Sequence, residues 1–477
     1  MSYIRGLPRT QSCLFPPALE EAIAADSLVR VIDAFVELLD VKELGFDKAL
    51  PAKTGRPPYD PKDLLGIYLY GYMYRIRSSR ALERETQRNV ELMWLVNQLR
   101  PDFKTIADFR KDNAGAIVGV CRALVLFCRE HKLLSSATVA VDGSKFEAVA
   151  SRKGVWTQER LQRVTAAIDR DIAEYLKQMD EQDAQHAGHL TPADARSAIE
   201  ALNARREQLQ ELARVMQDNG QSQHVQSEPE AKLMRTAAGG HKVAYNVQIA
   251  VEADHHLIIA HELTNEGNDH GQLEAMAKAA QQALQADSLT VIADTGYHNG
   301  KQAQACEEAN ITPVVALPRQ VNPKGADLYT ADQFEYDQKR DGYVCPAGQL
   351  LKRVRTDDRH QAYHYSTQAC GMCALKSSCT RGKQRTIKRH FYAEAHRRMR
   401  ERVAAQPHLR TLRSSVVEHP FGTLKHLMSG GRFLVRGMRK AVAEIALSIT
   451  GYNLKRLMNL MPELLQALRA RARVRFA

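Results

Sequence analysis

The first 135 residues carry apolar positions at helical spacing. Leu28, Ile32, Phe35, Leu38 and Leu39 recur along LVRVIDAFVELLD, and LLGIYLYGYMYRIRSSRALE keeps the same rhythm, so this stretch reads as a mostly helical domain. One break interrupts it, AKTGRPPYDP, where Gly55, Pro57, Pro58 and Pro61 stop one helix and Asp60 caps the next. From Ala137 the period changes to that of strands. ATVAVDGSKF is a short β-branched run expected to end at Asp142 and Gly143, as a buried central strand reaching a cleft does. Two long Ala-rich charged stretches then predict an inserted helical hairpin from Thr157 to about Gln217, with Thr191 and Pro192 opening its second helix, followed by a polar loop. Alternation at Val243, Tyr245, Val247, Ile249 and Val251, a short turn, and Leu257, Ile258 and Ile259 predict a β-hairpin. GQLEAMAKAAQQALQ reads as a helix, LTVIADTGY as a strand, Lys301 to Ala309 as a helix and TPVVALP as a strand. The resulting order is strand, insert, strand, strand, helix, strand, helix, strand. Residues 319 to about 405 are irregular, and MRKAVAEIALSITGYNLKRLMNL returns to a strong helix with Val442, Ile445, Ile449, Tyr452 and Leu457 on one stripe.

A length of 477 residues predicts two to four domains and enough chain for a large core. Hydrophobic residues at 44% and charged ones at 26% exclude disordered and membrane compositions. Apolar runs such as 138–141 and 124–128 fall far short of the ~20 residues that span a bilayer, and MSYIRGLPRT has no apolar signal region, so a cytoplasmic protein without a membrane partner is expected. Eight cysteines are too sparse for a disulfide framework in a chain of this length. With 67 Lys and Arg against 55 Asp and Glu, the net charge of +12 suits a nucleic-acid partner. Arg75, Arg77, Arg80, Arg84 and Arg88 are expected along the helix that starts at Asp60, either as a phosphate-tracking surface or as a solvated face. The tail ALRARARVRFA is expected to bind polyanions.

Candidate chemistry rests on acids in apolar settings. Asp142 and Asp294 each end a Val/Ile/Ala strand just before a glycine-containing turn, where parallel strands present side chains to a crevice. Carboxylates that converge repel one another, and hard cations such as Mg²⁺ between them relieve the repulsion; a turn or helix cap is the plainer use of either aspartate. Glu418 stands seven residues before Lys425, nearly one helical face, with Arg413 upstream, which would set a metal-holding acid beside phosphate-holding cations; an amphipathic surface helix is the alternative. Cys345, Cys370, Cys373 and Cys379, separated by 24, 2 and 5 residues, have the make-up of a closed Zn²⁺ site, or serve as reduced structural thiols. Cys13, Cys121, Cys128 and Cys306 read as structural. His241, His255, His256, His270 and His298 lie near the cleft in sequence, but no G-x-S-x-G elbow supports a hydrolase. Asn268 and Asp269 lead into a helix and read as capping residues. Tyr68, Tyr70, Tyr72 and Tyr74 recur every second residue on a helix, which favours packing over a tyrosine recombinase.

The segments VAVDGSKFEAVAS, KLMRTAAGGHKVAYNVQIAVEADHHLIIAHELTNEGNDHGQLEAM, VIADTGYHNG and VVEHPFGTLKHLMSGGRFLVRGMRKAVAEIAL resemble the DDE transposases of bacterial insertion sequences. LFPPALEEAI, GRPPYDPKDLLGIYLYGYMYRIRSSRALE and PDFKTIADFRK look like the helical N-terminal domain of that family, so the resemblance spans nearly the whole chain. It implies an α/β fold: a ribonuclease-H-like mixed sheet with a helical N-terminal DNA-binding domain (1–135), core segments at 136–152 and 233–318, a helical hairpin insertion (153–232), a cysteine-containing insertion (319–408), core C-terminal helices (409–460) and a basic tail (461–477). It makes Asp142, Asp294 and Glu418 the three catalytic acids. Two Mg²⁺ ions, replaceable by Mn²⁺, would lie about 3.5–4 Å apart among them and drive end cleavage followed by strand transfer. Lys425, Arg413, Arg77, Arg80 and Arg84 become DNA contacts. The third-acid signature of the family sets Tyr seven and Arg four residues before the Glu and Lys seven after; here Thr411, Ser414 and Lys425 stand there, so only the lysine matches. The implied partners are double-stranded DNA, as inverted-repeat ends and target, and a second copy of the chain in the DNA complex, at the nucleoid. A catalytically inactive DNA-binding regulator and a metal-dependent nuclease that cuts without joining are the alternatives.

Overall fold

The computed structural model describes residues 18–461 apart from 52, 56, 186–191, 237, 238 and 319–327. The basic tail, Cys13 and Thr191 lie outside the described residues. The N-terminal region folds into helices α1 (Leu19–Ala22), α2 (Leu28–Leu38), α3 (Pro61–Met73), α4 (Ser79–Arg88), α5 (Val90–Leu95), α6 (Phe103–Asp112) and α7 (Ala114–Glu130). Asp60 accepts the Lys62 N–H at 2.8 Å and Pro61 occupies the first turn of α3, as the sequence predicts. Tyr68, Tyr70 and Tyr72 are buried in the helical core. The helix does not run on through the arginines. It stops at Met73, Arg75 takes φ +64°, and the Ile76 N–H reaches back to the Gly71 carbonyl. Arg75 therefore lies in a break and Arg80, Arg84 and Arg88 ride on α4, which corrects the expected single basic ladder.

The central sheet starts with β1 (Thr138–Glu147). The insert follows: β2 (Val155–Thr157) and β3 (Gln223–Val225) pair at the base of the long helices α8 (Gln158–Gln185) and α9 (Pro192–Asp218), over a small core of Trp156, Leu161, Ile168, Leu209 and Met216. The chain then lays down β4 (Lys232–Arg235), β5 (His241–Glu252), β6 (Ile258–Thr264), α10 (Leu273–Leu284), β7 (Leu289–Ala293), α11 (Gly300–Glu308) and β8 (Ile311–Val315). β5 pairs antiparallel with β1 on one edge and with β4 and β6 on the other, while β7 lies parallel to β1 and β8 parallel to β7. In this six-stranded mixed sheet, antiparallel β6, β5 and β1 lead into parallel β7 and β8, the ribonuclease-H-like order, with the short β4 added on β5. Both faces are covered, so β5 is buried from Val243 to Glu252, and helices pack on each side.

A second, five-stranded antiparallel sheet is built from β9 (Glu335–Asp337), β10 (Gly342–Val344), β11 (Leu350–Asp357), β12 (Ala362–Ser366) and β13 (Thr386–His390), with the short helix α12 (Lys376–Cys379) between the last two. It encloses its own core of Phe334, Leu351, Tyr365 and Ile387. Helices α13 (Ala393–Ala405), α14 (His408–Gly422) and α15 (Met438–Leu460) return the chain to the central sheet. Ala441 to Leu457 of α15 join α2, α3 and α7 and one face of β1 and β5 in a single apolar cluster, which holds the helical region and the sheet together. Among the described residues no helix is long and apolar enough to cross a membrane.

Candidate active site

Registration of β1 against β7 creates the site. Their last pair is Val141 with Ala293, so Asp142 and Asp294 both stand one residue beyond it on neighbouring parallel strands. β1 was expected to end at Asp142. It continues to Glu147 because β5 goes on pairing with it, Gly143 opposite Gln248 and Lys145 opposite Asn246. Only the β7 side falls away, and the opening left there is the crevice. Asp294 turns the chain by accepting the Gly296 N–H at 2.8 Å, and Asp142 accepts the Gly143 N–H at 2.8 Å. Burial raises the Asp142 carboxyl from its usual 3.8 to about 6, with the nearby Asp294 and Asp269 adding to the rise and Arg413 opposing it.

Asp269 is the residue sequence reasoning misassigned. It caps no helix: its Oδ1 accepts from Asn246 Nδ2 at 2.7 Å and Gln248 Nε2 at 2.6 Å and pairs with Lys145 Nζ at 3.5 Å. The Tyr297 hydroxyl donates to Gln248 Oε1 from behind, and burial among these aspartates keeps that hydroxyl protonated far above its usual range. Asp269 and Asp294 both lie within 4 Å of where a Gly296 side chain would begin, and a Cβ on Gly143 would meet Asp269 Oδ1 at 2.5 Å. The two glycines leave this space open. Polar residues facing inward from a buried strand, Asn246 and Gln248, were the available signal, since such groups need a charged partner. Cations balance the acids. Arg413 Nη1 lies 3.3 Å from Asp142 Oδ2, and Lys425 Nζ sits 5.5 Å from the Phe146 ring centre, where burial lowers its proton affinity and Asp142 offsets this.

A family model described as "Transposase domain (DUF772)" matches residues 17–112, and one described as "Transposase DDE domain" matches residues 344–458. This chain belongs to the DDE transposases. No curated protein matches. Among solved structures, a piggyBac transposase synaptic complex with hairpin DNA is similar to the transposase at 9% identity, with 91% of this chain and 73% of that chain covered and a TM-score of 0.32.

The matched segments carry the remaining expected residues of the transposase, with mixed placement. Glu418 is exposed on α14 and makes no hydrogen bond or ion pair among the described residues. It lies five residues from Arg413, which turns it ~140° around the helix from the side chain that reaches Asp142. Pro420 sits inside α14 rather than in a first turn, and the helix widens into a π-helical stretch, Thr423–Ser429, directly after it. That stretch carries Lys425 and is tied to the end of β1, since Glu147 donates to the Gly431 carbonyl and accepts from the Phe433 N–H. Arg77, expected on DNA, is committed to the buried carboxylate of Glu444 at 3.0 Å. Arg80 and Arg84 are exposed, Arg80 over the Phe103 ring. Of the histidines named from sequence, His298 stacks on His396 at 4.7 Å, and burial lowers both; they pack the turn after Asp294 against α13.

Among the described residues no three His, Cys, Asp or Glu side chains already stand close enough to hold one ion. The surroundings of Asp142 and Asp294 nonetheless suit a hard cation. Three carboxylates face an open cradle, and Asn246 Oδ1 beside them is fully buried without a hydrogen-bond donor. Its amide is oriented by two acceptors on Nδ2, Asp269 Oδ1 at 2.7 Å and the Glu266 carbonyl at 3.2 Å, so the bare oxygen is not an arbitrary flip.

Proposed function

We propose that the transposase binds the inverted-repeat ends of its element and cuts and joins DNA at the Asp142–Asp294 crevice, using Mg²⁺ with Mn²⁺ as a substitute. The observation that carries this reading is the side-by-side position of the two aspartates one residue past the last β1–β7 pair. Asp142 and Asp294 would hold the cations, and Asp269, fixed by Asn246, Gln248 and Lys145, adds a neighbouring carboxylate to the same crevice. When bound, divalent ions supply the Lewis acidity that activates an attacking water or 3′-hydroxyl and steadies the departing oxygen. Arg413 neutralises Asp142 in the free protein; once relieved of that duty it can meet a DNA phosphate beside Lys425, which favours an anion next to the acids. Glu418 completes the set when DNA reorients α14, the Pro420-to-π junction being the place where the helix yields. Exposed Arg80 and Arg84 track phosphates, and a second copy joins in the DNA complex at the nucleoid.

Chemically, water attacks phosphorus in line and the 3′ oxygen leaves with a proton from solvent. The freed 3′-hydroxyl then attacks a second strand in the same way. Asp142→Asn is expected to abolish cleavage of labelled ends while a mobility shift still shows end binding. Residual cutting by that variant overturns the assignment. Wild-type protein that cuts but never joins the ends would instead be the nuclease.

A further inference from the structure

The four cysteines of the second sheet come from separate turns and face one pocket. Cys345 follows β10, Cys370 lies in the 3₁₀ turn Gln368–Met372, Cys373 ends that turn, and Cys379 closes α12; all four line the pocket together with Phe334, Leu351 and Arg385. Lys376, Thr367 and Thr380 also line it, and none of the four thiols is paired in a disulfide. The local backbone is shaped around sulfur. In the Cys345–Gln349 turn, Cys345 donates its N–H to the Gln349 carbonyl at 2.9 Å, Gly348 takes φ +72°, and the Gln349 N–H points at Cys345 Sγ, 3.3 Å away. Across the pocket the Arg385 N–H points at Cys370 Sγ at 3.5 Å. The Arg385 guanidinium is fixed by the carbonyls of Cys379 at 3.2 Å and Tyr329 at 2.9 Å, yet its buried Nε has no acceptor.

N–H groups directed at Cys345 and Cys370 use both sulfurs as acceptors, and four cysteines outside any disulfide gathered on one pocket form the donor set that a soft, tetrahedral divalent ion takes. We propose that Cys345, Cys370, Cys373 and Cys379 bind one Zn²⁺ ion, which staples the β10–β11 turn to the 3₁₀ turn Gln368–Met372 and α12 of the second sheet. Among the described residues no three of these side chains stand close enough to hold an ion as they lie, so the turns that carry them must close on the metal as it binds. Binding releases the thiol protons to solvent and involves no electron transfer.

The site is separate from the Asp142 crevice, so its test is independent of the catalytic reading. Full-length protein expressed with added zinc is analysed for metal after dialysis, alongside Asp142→Asn, Cys370→Ser, Cys373→Ser and the buried-core control Cys128→Ser. The expected result is one zinc per chain in wild type, Asp142→Asn and Cys128→Ser, falling to below a tenth in the Cys370 and Cys373 variants. Should those variants fail to fold, mercurial titration of wild type reads the same point: zinc appears in step with about four thiols, and Co²⁺ in its place gives intense thiolate-to-metal charge-transfer absorption. Wild type without stoichiometric zinc, zinc retained in both cysteine variants, or a mass loss showing disulfides among these cysteines overturns the proposal.

Discussion

Asp142 has a carboxyl that the fold holds partly against its charge. Its affinity for a proton rises on folding, from the usual 3.8 to about 6, chiefly through burial. A raised acid contributes stability that is fully present below pH ~4 and is lost as pH climbs through 6, which amounts to ~3 kcal/mol at neutral pH. Asp142→Asn removes the charge, so without divalent ions it should melt higher than wild type at pH 8 and show no such advantage at pH 4. Differential scanning calorimetry at both values checks this, and added Mg²⁺ should shrink the gap at pH 8 by stabilising wild type alone. The same burial predicts that Mn²⁺ affinity falls as pH drops through 6, because protons compete for the carboxylate. Asp142 and Asp294 were legible in the sequence as acids that end β-branched runs before glycine, a place that also suits a turn, which Asp294 makes. Asp269 was not: its neighbours suggested a cap, and only the pairing of Gln248 with Gly143 and of Asn246 with Lys145 shows that two buried amides are waiting for a carboxylate.

At the scale of elements, the segment between α3 and α4 is joined to α15 by more than apolar contact. Glu444 on α15 is buried, accepts the N–H groups of Leu434 and Val435, and takes Arg77 as its cation. Arg77→Ala leaves this buried carboxylate without its ion-pair partner, and a loss of ~3 kcal/mol is expected in chemical denaturation. DNA affinity per folded molecule should change little. Arg80→Ala and Arg84→Ala should do the opposite, leaving the unfolding midpoint in place while weakening end binding and lowering its salt dependence. Spacing along the chain could not separate these arginines, since the ladder from Arg75 to Arg88 looked continuous. The break after Met73 is decided by Gly71, whose position closes against the Ile76 carbonyl and the Leu82 side chain. Capping at Asp60, the hairpin of α8 and α9, and the strand sequence of the sheet were readable, because each depends on nearest neighbours and periodicity.

Across the whole molecule, Asp142 and Asp294 share one crevice while Glu418 lies outside it, so the three acids of the proposed site are not equivalent before DNA arrives. Asp294→Asn should lose both Mn²⁺ affinity and cleavage. Glu418→Gln should lose cleavage but keep the Mn²⁺ affinity of the free protein, since its side chain lies outside the cradle. Mn²⁺ titration by electron paramagnetic resonance separates the two, and an equal loss of affinity in both variants would mean that Glu418 already shares the site. The sequence by itself determined most of the element order outside residues 319–405, the α/β class, the family, and which residues could carry metal and phosphate chemistry, because local period and residue type encode these; β4 and the second sheet, built from short strands, escaped it. The tertiary structure alone decided which of those residues meet. Register between β1 and β7 sets Asp142 beside Asp294, cross-strand partners pull Asp269 in, a buried glutamate claims Arg77, and the turn of α14 keeps Glu418 out. Those outcomes follow from long-range pairing and the cost of leaving a buried charge unbalanced, neither of which is written in any single stretch of chain.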